Sequence, residues 1–216
     1  MTEKLRAAAL SGPAGRLEAL WKEAKPPPKG SAVFAHPHPL EGGTMHNKVV
    51  YRAAQAAGRA GYGTLRFNFR GVGASEGVHD EGRGETGDFR AALDAAEGLG
   101  GPPLVAGGFS FGSAVALRAI AGERRVVAYV GVGLPVASRS GRDLPAPGVP
   151  ALFVVGELDA FGPPKALAEF VGRSGEIVVV PGGDHFLAGR LDVMQEAITR
   201  FLARIASGEP RQGSAV

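Results

Sequence analysis

The chain contains no cysteine among its 216 residues. This absence excludes disulfide bonds, zinc sites built on thiolates and a cysteine nucleophile. Long apolar runs are missing as well, because no stretch approaches the roughly 18 apolar residues that span a bilayer. Residues 1–20 mix both charge signs and lack the continuous apolar segment of a signal peptide. We therefore expect a cytoplasmic protein with no membrane partner.

Clusters of one charge sign are also missing. The chain has 24 Lys and Arg against 21 Asp and Glu, and its basic residues are spread along its length. A nucleic-acid-binding surface needs a concentrated basic patch, so no nucleic-acid partner is predicted. With 44% hydrophobic residues and no repeat or change in composition, residues 1–208 are predicted to form a single domain. Residues 209–216 are predicted to be a disordered tail.

Short apolar runs alternate with stretches of helical character. The runs are apolar on both faces, as is typical of strands buried in a parallel sheet. The predicted strands are 31–36, 64–69, 103–109, 126–133, 151–156 and 176–180. The predicted helices are 49–59, 87–96, 113–121, 165–172 and 194–206. This alternation predicts an α/β fold with right-handed crossovers.

The N-terminal segment fits two kinds of secondary structure. Residues 4–24 fit a helix, from the spacing of Leu17, Leu20 and Trp21, but they also fit two strands around a Gly-Pro turn. Residues 134–149 are short and rich in proline, so we expect no helical lid between the fourth and fifth predicted strands.

One serine lies where a predicted strand passes into a predicted helix. Residues 108–112 read Gly-Phe-Ser-Phe-Gly, which matches the G-x-S-x-G nucleophile elbow around Ser110. Glycines are needed because the sharp turn brings the backbones on either side of Ser110 too close for a Cβ. The same turn directs the amide of Phe111 towards the position of an oxyanion. The alternative is a glycine-rich turn that contains an incidental serine.

A serine hydroxyl needs a base to accept its proton, and the base needs an acid to orient it. His185 follows the last predicted strand, where a base can reach over the edge of the sheet. Asp159 follows the preceding strand, whereas Asp184 is adjacent to His185 in the chain and its side chain should diverge from the ring. We therefore predict a catalytic triad of Ser110, Asp159 and His185, in the chain order of α/β-hydrolases.

The loop after the first buried strand reads His-Pro-His-Pro and should provide the second amide of an oxyanion hole. Pro37 and Pro39 have no N–H, so the nearby donors are His38, which we favour, and Leu40. His36 is expected to be a structural histidine whose ring nitrogens hydrogen-bond the loop.

Two other classes of function compete with this interpretation. The His36 and His38 pair resembles the opening of metal-dependent amidohydrolase barrels, with His46, Asp80 or Asp184 as further ligands. Such barrels typically need about 250 residues, more than this chain has, so no metal is predicted. A hydrolase-fold binding module without catalysis is disfavoured because all three triad residue types are present at strand ends.

A second glycine-rich stretch, residues 70–77, could be mistaken for a nucleotide-binding loop. The glycines of residues 70–77 do not have the spacing of a dinucleotide-binding loop, so no cofactor is predicted.

Five segments together resemble the small, lidless bacterial α/β-hydrolases related to the dienelactone hydrolases, and they cover nearly all of residues 31–190. They read FAHPHPLEGGTMHNKVV, LRFNFRGVGASEG, GGFSFGS, VVGELD and GGDHF, in that order. The resemblance implies a mostly parallel eight-stranded sheet flanked by helices, with no cap domain. It also implies an antiparallel hairpin for residues 4–24, the triad above, and Arg70 and Asp88 as structural partners. Dienelactone hydrolases proper use cysteine, so lactone hydrolysis is not carried over.

The expected activity is that of a serine hydrolase acting on small-molecule carboxylic esters with short or accessible acyl groups. Peptidase, amidase and acyltransferase activities on the same fold stay open, as does assembly into a homo-oligomer. Phe109, Phe161 and Phe186 either line the acyl pocket or serve ordinary packing. His46 stands where the resembling proteins often have Asp or Asn, on the side of the pocket.

Overall fold

The computed structural model describes residues 5–209, so Lys4 of the predicted hairpin and residues 210–216 of the predicted tail lie outside it. Eight strands form one sheet in the order β1-β2-β4-β3-β5-β6-β7-β8. They are β1 Leu5–Gly12, β2 Gly15–Lys22, β3 Ser31–Ala35, β4 Gly63–Phe67, β5 Leu104–Phe109, β6 Val126–Val132, β7 Ala151–Gly156 and β8 Glu176–Val180. Only the β1–β2 and β2–β4 pairs of this sheet are antiparallel. The predicted mostly parallel α/β sheet is therefore confirmed.

Five α-helices cover the two faces of the sheet. They are α1 Lys48–Arg59, α2 Arg83–Gly100, α3 Phe111–Ala119, α4 Pro164–Val171 and α5 Leu191–Ser207. Helices α1 and α5 pack on one face, and α2, α3 and α4 pack on the other. Strands β3, β4, β5 and β7 are buried along their whole length, which explains why their sequences are apolar on both faces.

The N-terminal segment is a hairpin, as the resemblance implied, and the helical interpretation of its spacing is wrong. Leu17, Ala19 and Trp21 are buried, while the residues between them are partly exposed. This period of two is the pattern of a strand with one covered face. Leu20, which a helix would place on the same face as Leu17, lies on the other face of the sheet from Leu17.

The predicted starts of three helices are wrong by two or more residues, because α2, α3 and α5 all begin earlier, α5 at Leu191 rather than at 194. Helix α2 extends beyond the predicted 87–96 at both ends, and its first turn is held by Glu85, whose carboxylate accepts the N–H of Gly82 and of Asp80 at 2.8 Å each. Helix α3 begins at Phe111 rather than at 113, because the carbonyl of Ser110 already accepts the N–H of Ala114 at 3.2 Å. The elbow therefore leads into the helix without an intervening loop.

The connection from β6 to β7 contains only a short 3-10 helix, Arg139–Gly141, and no cap covers the edge of the sheet there. The absence of a cap domain is as predicted. Within residues 5–209, no helix combines the length and the apolar character that crossing a membrane requires.

Candidate active site

The elbow between β5 and α3 holds Ser110 in a backbone conformation that L-residues rarely adopt. Its φ is 52° and its ψ is −123°. A Cβ on Gly108 would lie 2.5 Å from the carbonyl carbon of Gly112, and a Cβ on Gly112 would lie 2.3 Å from the carbonyl oxygen of His36. The steric reason predicted for both glycines is confirmed. Gly112 also lets the end of β3 approach the start of α3.

The structure brings the three predicted triad residues into one hydrogen-bonded row. Ser110 Oγ lies 2.9 Å from His185 Nε2, and His185 Nδ1 lies 2.8 Å from Asp159 Oδ2. The second carboxylate oxygen of Asp159 accepts the N–H of Phe161 at 2.9 Å and of Gly162 at 3.2 Å. Asp159 is buried, and His185 is 9% exposed. The carboxylate is thus fixed from behind while the imidazole faces the serine.

Asp184 has a different partner although it precedes His185 in the chain. Its Oδ1 accepts the N–H of Ala188 at 3.0 Å, and its carbonyl oxygen accepts the N–H of Leu187 at 3.1 Å. The Asp184 carboxylate therefore stabilises the turn that follows His185. The Asp159 carboxylate is the one that contacts the imidazole.

Three phenylalanines surround the imidazole of His185. The ring centroids of Phe161, Phe109 and Phe186 lie 4.6, 5.0 and 5.4 Å from that of His185. Phe109 is buried and supports the imidazole from below, whereas Phe161 and Phe186 are 48% and 56% exposed. Of the three candidate acyl-pocket residues, only these two present their rings at the surface.

Gly133, which sequence reasoning did not single out, also borders His185. It directly follows β6 with a φ of 53°, and a Cβ there would lie 3.1 Å from His185 Cε1 and 3.1 Å from Phe109 Cε2. Its place as the last residue of a predicted strand is the one signal by which it could have been found.

The candidate oxyanion donors lie where α3 meets the loop after β3. Phe111 is the first residue of α3, and an N–H in the first turn of a helix has no intrahelical acceptor. Its ring centroid lies 5.0 Å from that of His38. The amide of Leu40 donates to His38 Nδ1 at 3.3 Å, and the Leu40 side chain is 75% exposed. The Leu40 amide is thus used within the loop, and His38 stays the predicted second donor.

His36 is fully buried, and both of its ring nitrogens have backbone partners. Its Nε2 accepts the N–H of Phe69 at 3.0 Å, and its Nδ1 donates to the carbonyl of Pro37 at 2.7 Å. Burial lowers its pKa to about 4, so the ring is neutral near pH 7. The structural role expected of His36 is confirmed, and the metal-dependent alternative has no support from this arrangement. No group of three or more candidate metal ligands occurs within residues 5–209.

Two other sequence predictions concern residues outside the hydrogen-bonded row. The guanidinium of Arg70 holds both carboxylate oxygens of Asp88, at 2.9 and 2.7 Å, which confirms them as structural partners. His46 is exposed, and its amide lies 3.3 Å from the hydroxyl oxygen of Thr44. The pKa of the nearby Glu18 is lowered mainly by hydrogen bonds from the Ala74 backbone and the Asn68 side chain.

A second imidazole–carboxylate pair lies beside the candidate oxyanion loop. His79 Nδ1 is 2.8 Å from Glu85 Oε1, and the Glu85 carboxylate is fully buried. The ring centroid of His79 is 5.0 Å from that of His38 and 5.6 Å from that of Phe111. His79 Nδ1 makes no hydrogen bond of acceptable geometry, so the two groups are in contact without a hydrogen bond between them. Sequence reasoning missed this contact because no local pattern links His79 to the loop after β3.

Comparison with models of known protein families gives no match. An uncharacterized protein of Rickettsia prowazekii (strain Madrid E) is 32% identical over 212 residues, covering 91% of this chain and 88% of its own. An α/β serine hydrolase homologue from Coxiella burnetii superposes with a TM-score of 0.84 at 34% identity, covering 93% of this chain and 98% of its own. An α/β serine hydrolase without a lid from Xanthomonas campestris gives a TM-score of 0.85 at 30% identity, covering 98% of each chain.

These matches extend over nearly the whole chain, and they agree with its eight-stranded sheet and with its uncovered edge after β6. The chain belongs to the family of lidless α/β serine hydrolases that these structures represent, and its class is that of a hydrolase.

Proposed function

We propose that this protein cleaves carboxylic esters through an acyl-enzyme formed on Ser110. The observation that carries the proposal is the row of hydrogen bonds from Ser110 Oγ through His185 to Asp159, at 2.9 and 2.8 Å. A serine hydroxyl is a weak nucleophile until a neighbouring base accepts its proton, and this row supplies that base together with the acid that orients it.

In the first half of the cycle, His185 Nε2 accepts the proton of Ser110 as Oγ attacks the ester carbonyl. The amides of Phe111 and His38 donate to the oxyanion of the tetrahedral intermediate. Asp159 stabilises the imidazolium, whose proton then passes to the leaving alkoxide as the C–O bond breaks. The alcohol departs, and the acyl group stays on Ser110.

In the second half, a water molecule takes the place of the alcohol. His185 accepts a proton from the water as its oxygen attacks the acyl carbonyl, and the same amides hold the second oxyanion. The bond to Ser110 Oγ breaks, the serine recovers its proton from the imidazolium, and the carboxylic acid is released. Every proton is returned, so the cycle needs no cofactor.

The proposed substrates are small esters with short or otherwise accessible acyl groups. The β6–β7 connection contains only a short 3-10 helix and forms no lid, which favours substrates that can reach an open site. The exposed rings of Phe161 and Phe186 give the rim an apolar surface of limited extent. Serine at position 110 favours ester chemistry of this kind over the cysteine-dependent reaction of the dienelactone hydrolases that the sequence resembles.

The test is the turnover of p-nitrophenyl acetate, butyrate and palmitate and of a matching anilide by the wild-type protein and by Ser110→Ala. We expect the two short esters to be preferred, and kcat to fall by roughly 10⁴-fold or more in the variant. Circular dichroism should show that the variant folds. Undiminished turnover by folded Ser110→Ala would contradict the mechanism. A preference for the palmitate or the anilide would contradict the substrate class alone.

A further inference from the structure

Two adjoining cavities lie between α1 and the antiparallel strands β2 and β4, and none of the triad residues lines them. The inner cavity, of ≈ 210 Å³, is lined by Arg66, Tyr51 and Thr64 among others, and the outer one, of ≈ 440 Å³, by Lys25 and Arg59. Both include Lys22 and Gln55. The basic groove is the name used here for seven of the lining residues, which are Lys22, Lys25, Tyr51, Gln55, Arg59, Thr64 and Arg66. In the part of the chain that the structure describes, neither cavity is lined by an Asp or a Glu.

Arg66 is the most deeply placed cation of the basic groove. The residue is only 7% exposed, its Nη1 donates to the carbonyl of Met45 at 2.6 Å, and its guanidinium lies 5.1 Å from the ring centroid of Tyr51. Burial of the guanidinium lowers its pKa. Among residues 5–209, no carboxylate pairs with it.

A buried guanidinium without a carboxylate is unusual, because an isolated buried charge is strongly unfavourable. Guanidinium has five N–H donors, and the carbonyl of Met45 uses one of them. Arg66 lines the inner cavity, and none of its nitrogens is a fully buried atom without a partner. The groove therefore has the positive half of an ion pair at its base, and the negative half is not supplied by the described chain.

The surrounding side chains extend this positive site outwards. Thr64 lies opposite Lys22 across the β2–β4 pair, two positions along the strand from Arg66. Gln55 Nε2 donates to Tyr51 Oη at 2.8 Å on α1, and Arg59 follows one helical turn later. Donors and positive charge thus run from Arg66 at the base to Arg59 at the mouth.

We propose that the basic groove binds a phosphate-bearing small molecule, with one phosphate group on Arg66 and Thr64 and further negative charge near Arg59. The planar fork of a guanidinium matches two phosphate oxygens, and a charge-assisted contact of this kind is strong. The inner cavity of ≈ 210 Å³ accommodates one such group, while the outer cavity leaves room for the rest of the ligand. This site is separate from the proposed ester hydrolysis at Ser110.

Isothermal titration calorimetry of the full chain with inorganic phosphate and with pyrophosphate, at constant ionic strength, tests the proposal. We expect saturable binding of both anions, with pyrophosphate the tighter by roughly tenfold because it reaches the outer cations. Arg66→Met should weaken both anions by roughly tenfold or more. Arg59→Met should weaken pyrophosphate and leave phosphate unchanged.

Lys48→Met is the matched control, since it removes one positive charge from an exposed position at the start of α1, outside the groove. It should leave the affinity for both anions unchanged. If Arg66→Met does not fold by circular dichroism, Arg66→Lys and Thr64→Val provide the same comparison at the inner cavity. Absence of saturable phosphate binding, equal weakening by Lys48→Met, or equal binding of acetate would overturn the proposal.

Discussion

Asp159 Oδ2 lies 2.8 Å from His185 Nδ1, although the two residues are 26 positions apart in the chain. Asp184, the neighbour of His185, instead accepts the N–H of Ala188 at 3.0 Å. The partner of the imidazole is thus decided by the order of strands in the sheet, since the loops after β7 and β8 meet at its edge.

This pairing predicts different results for two isosteric substitutions. Asp159→Asn removes the acceptor that orients and stabilises the imidazolium, and kcat for p-nitrophenyl acetate should fall by about 10⁴-fold. Asp184→Asn keeps an oxygen for Ala188 and should change kcat by less than about threefold, because only a turn contact is altered. Steady-state kinetics give kcat for both variants. A larger fall in kcat for Asp184→Asn than for Asp159→Asn would mean that Asp184, and not Asp159, supports the imidazole.

The backbone of Ser110 should hold measurable strain. At a φ of 52° and a ψ of −123°, a Cβ is disfavoured, so Ser110→Gly should be more stable than Ser110→Ala by about 1 kcal/mol. Both variants lack the hydroxyl, and their comparison therefore isolates the Cβ. Urea unfolding measures the difference. The same pair of substitutions at Ser113, inside α3, should give the opposite order by about 1 kcal/mol. Equal stability of Ser110→Ala and Ser110→Gly would argue against strain.

Gly133 should be needed for the position of His185. Gly133→Ala places a Cβ 3.1 Å from His185 Cε1, and displacement of the ring should lower kcat by roughly tenfold or more. Gly122→Ala is the matched control, because its φ is also positive, at 78°, while nothing lies within 4 Å of the added Cβ. Both variants should lose stability in thermal unfolding because of the positive φ, and Gly133→Ala should lose more because its Cβ also crowds His185 and Phe109. Equal kcat values for the two would show that the contact with His185 is unimportant.

His36 should make the stability depend on pH. Its pKa is about 4 in the folded chain, against 6.5 for an unperturbed histidine, because burial disfavours the charged ring. Between pH 4 and pH 6.5 the unfolded chain therefore binds a proton on His36 that the folded chain does not bind. The contribution of neutral His36 to the free energy of unfolding is fully present above pH 6.5. It is lost as the pH falls from 6.5 towards 4, by roughly 3 kcal/mol in the free energy of unfolding.

Urea unfolding at several pH values between 4 and 7 measures the slope of the free energy of unfolding against pH. His36→Gln should flatten it, while His46→Gln, at an exposed position, should retain the wild-type slope. A wild-type slope that persists in folded His36→Gln would mean that another group is responsible.

Much of the site was predictable because its residues follow strands whose apolar patterns are clear. Ser110, Asp159 and His185 could be brought to one edge of the sheet by the rule that parallel strands end together. The hairpin was less clear, since Leu17, Leu20 and Trp21 fit two periods, and the resemblance to a known family was needed to choose between them.

The rest depends on contacts that no local pattern contains. The ends of α2 are glycine-rich and have low helix propensity, yet the carboxylate of Glu85 holds its first turn. The supports of the site, Gly133 behind His185 and His79 beside His38, come from loops far apart in the chain. The unpaired charge of Arg66 becomes apparent only when the burial of its strand is known.

The central claim is that Ser110 is the nucleophile, and the most direct measurement is mass spectrometry after reaction with a serine-directed fluorophosphonate. We predict that one equivalent of the reagent is incorporated, that it is found on the peptide containing Ser110, and that ester turnover is lost in proportion. Ser113→Ala, three residues away, should be labelled as the wild type is. Continued ester turnover without modification of Ser110, or modification of a different residue that abolishes it, would contradict the account.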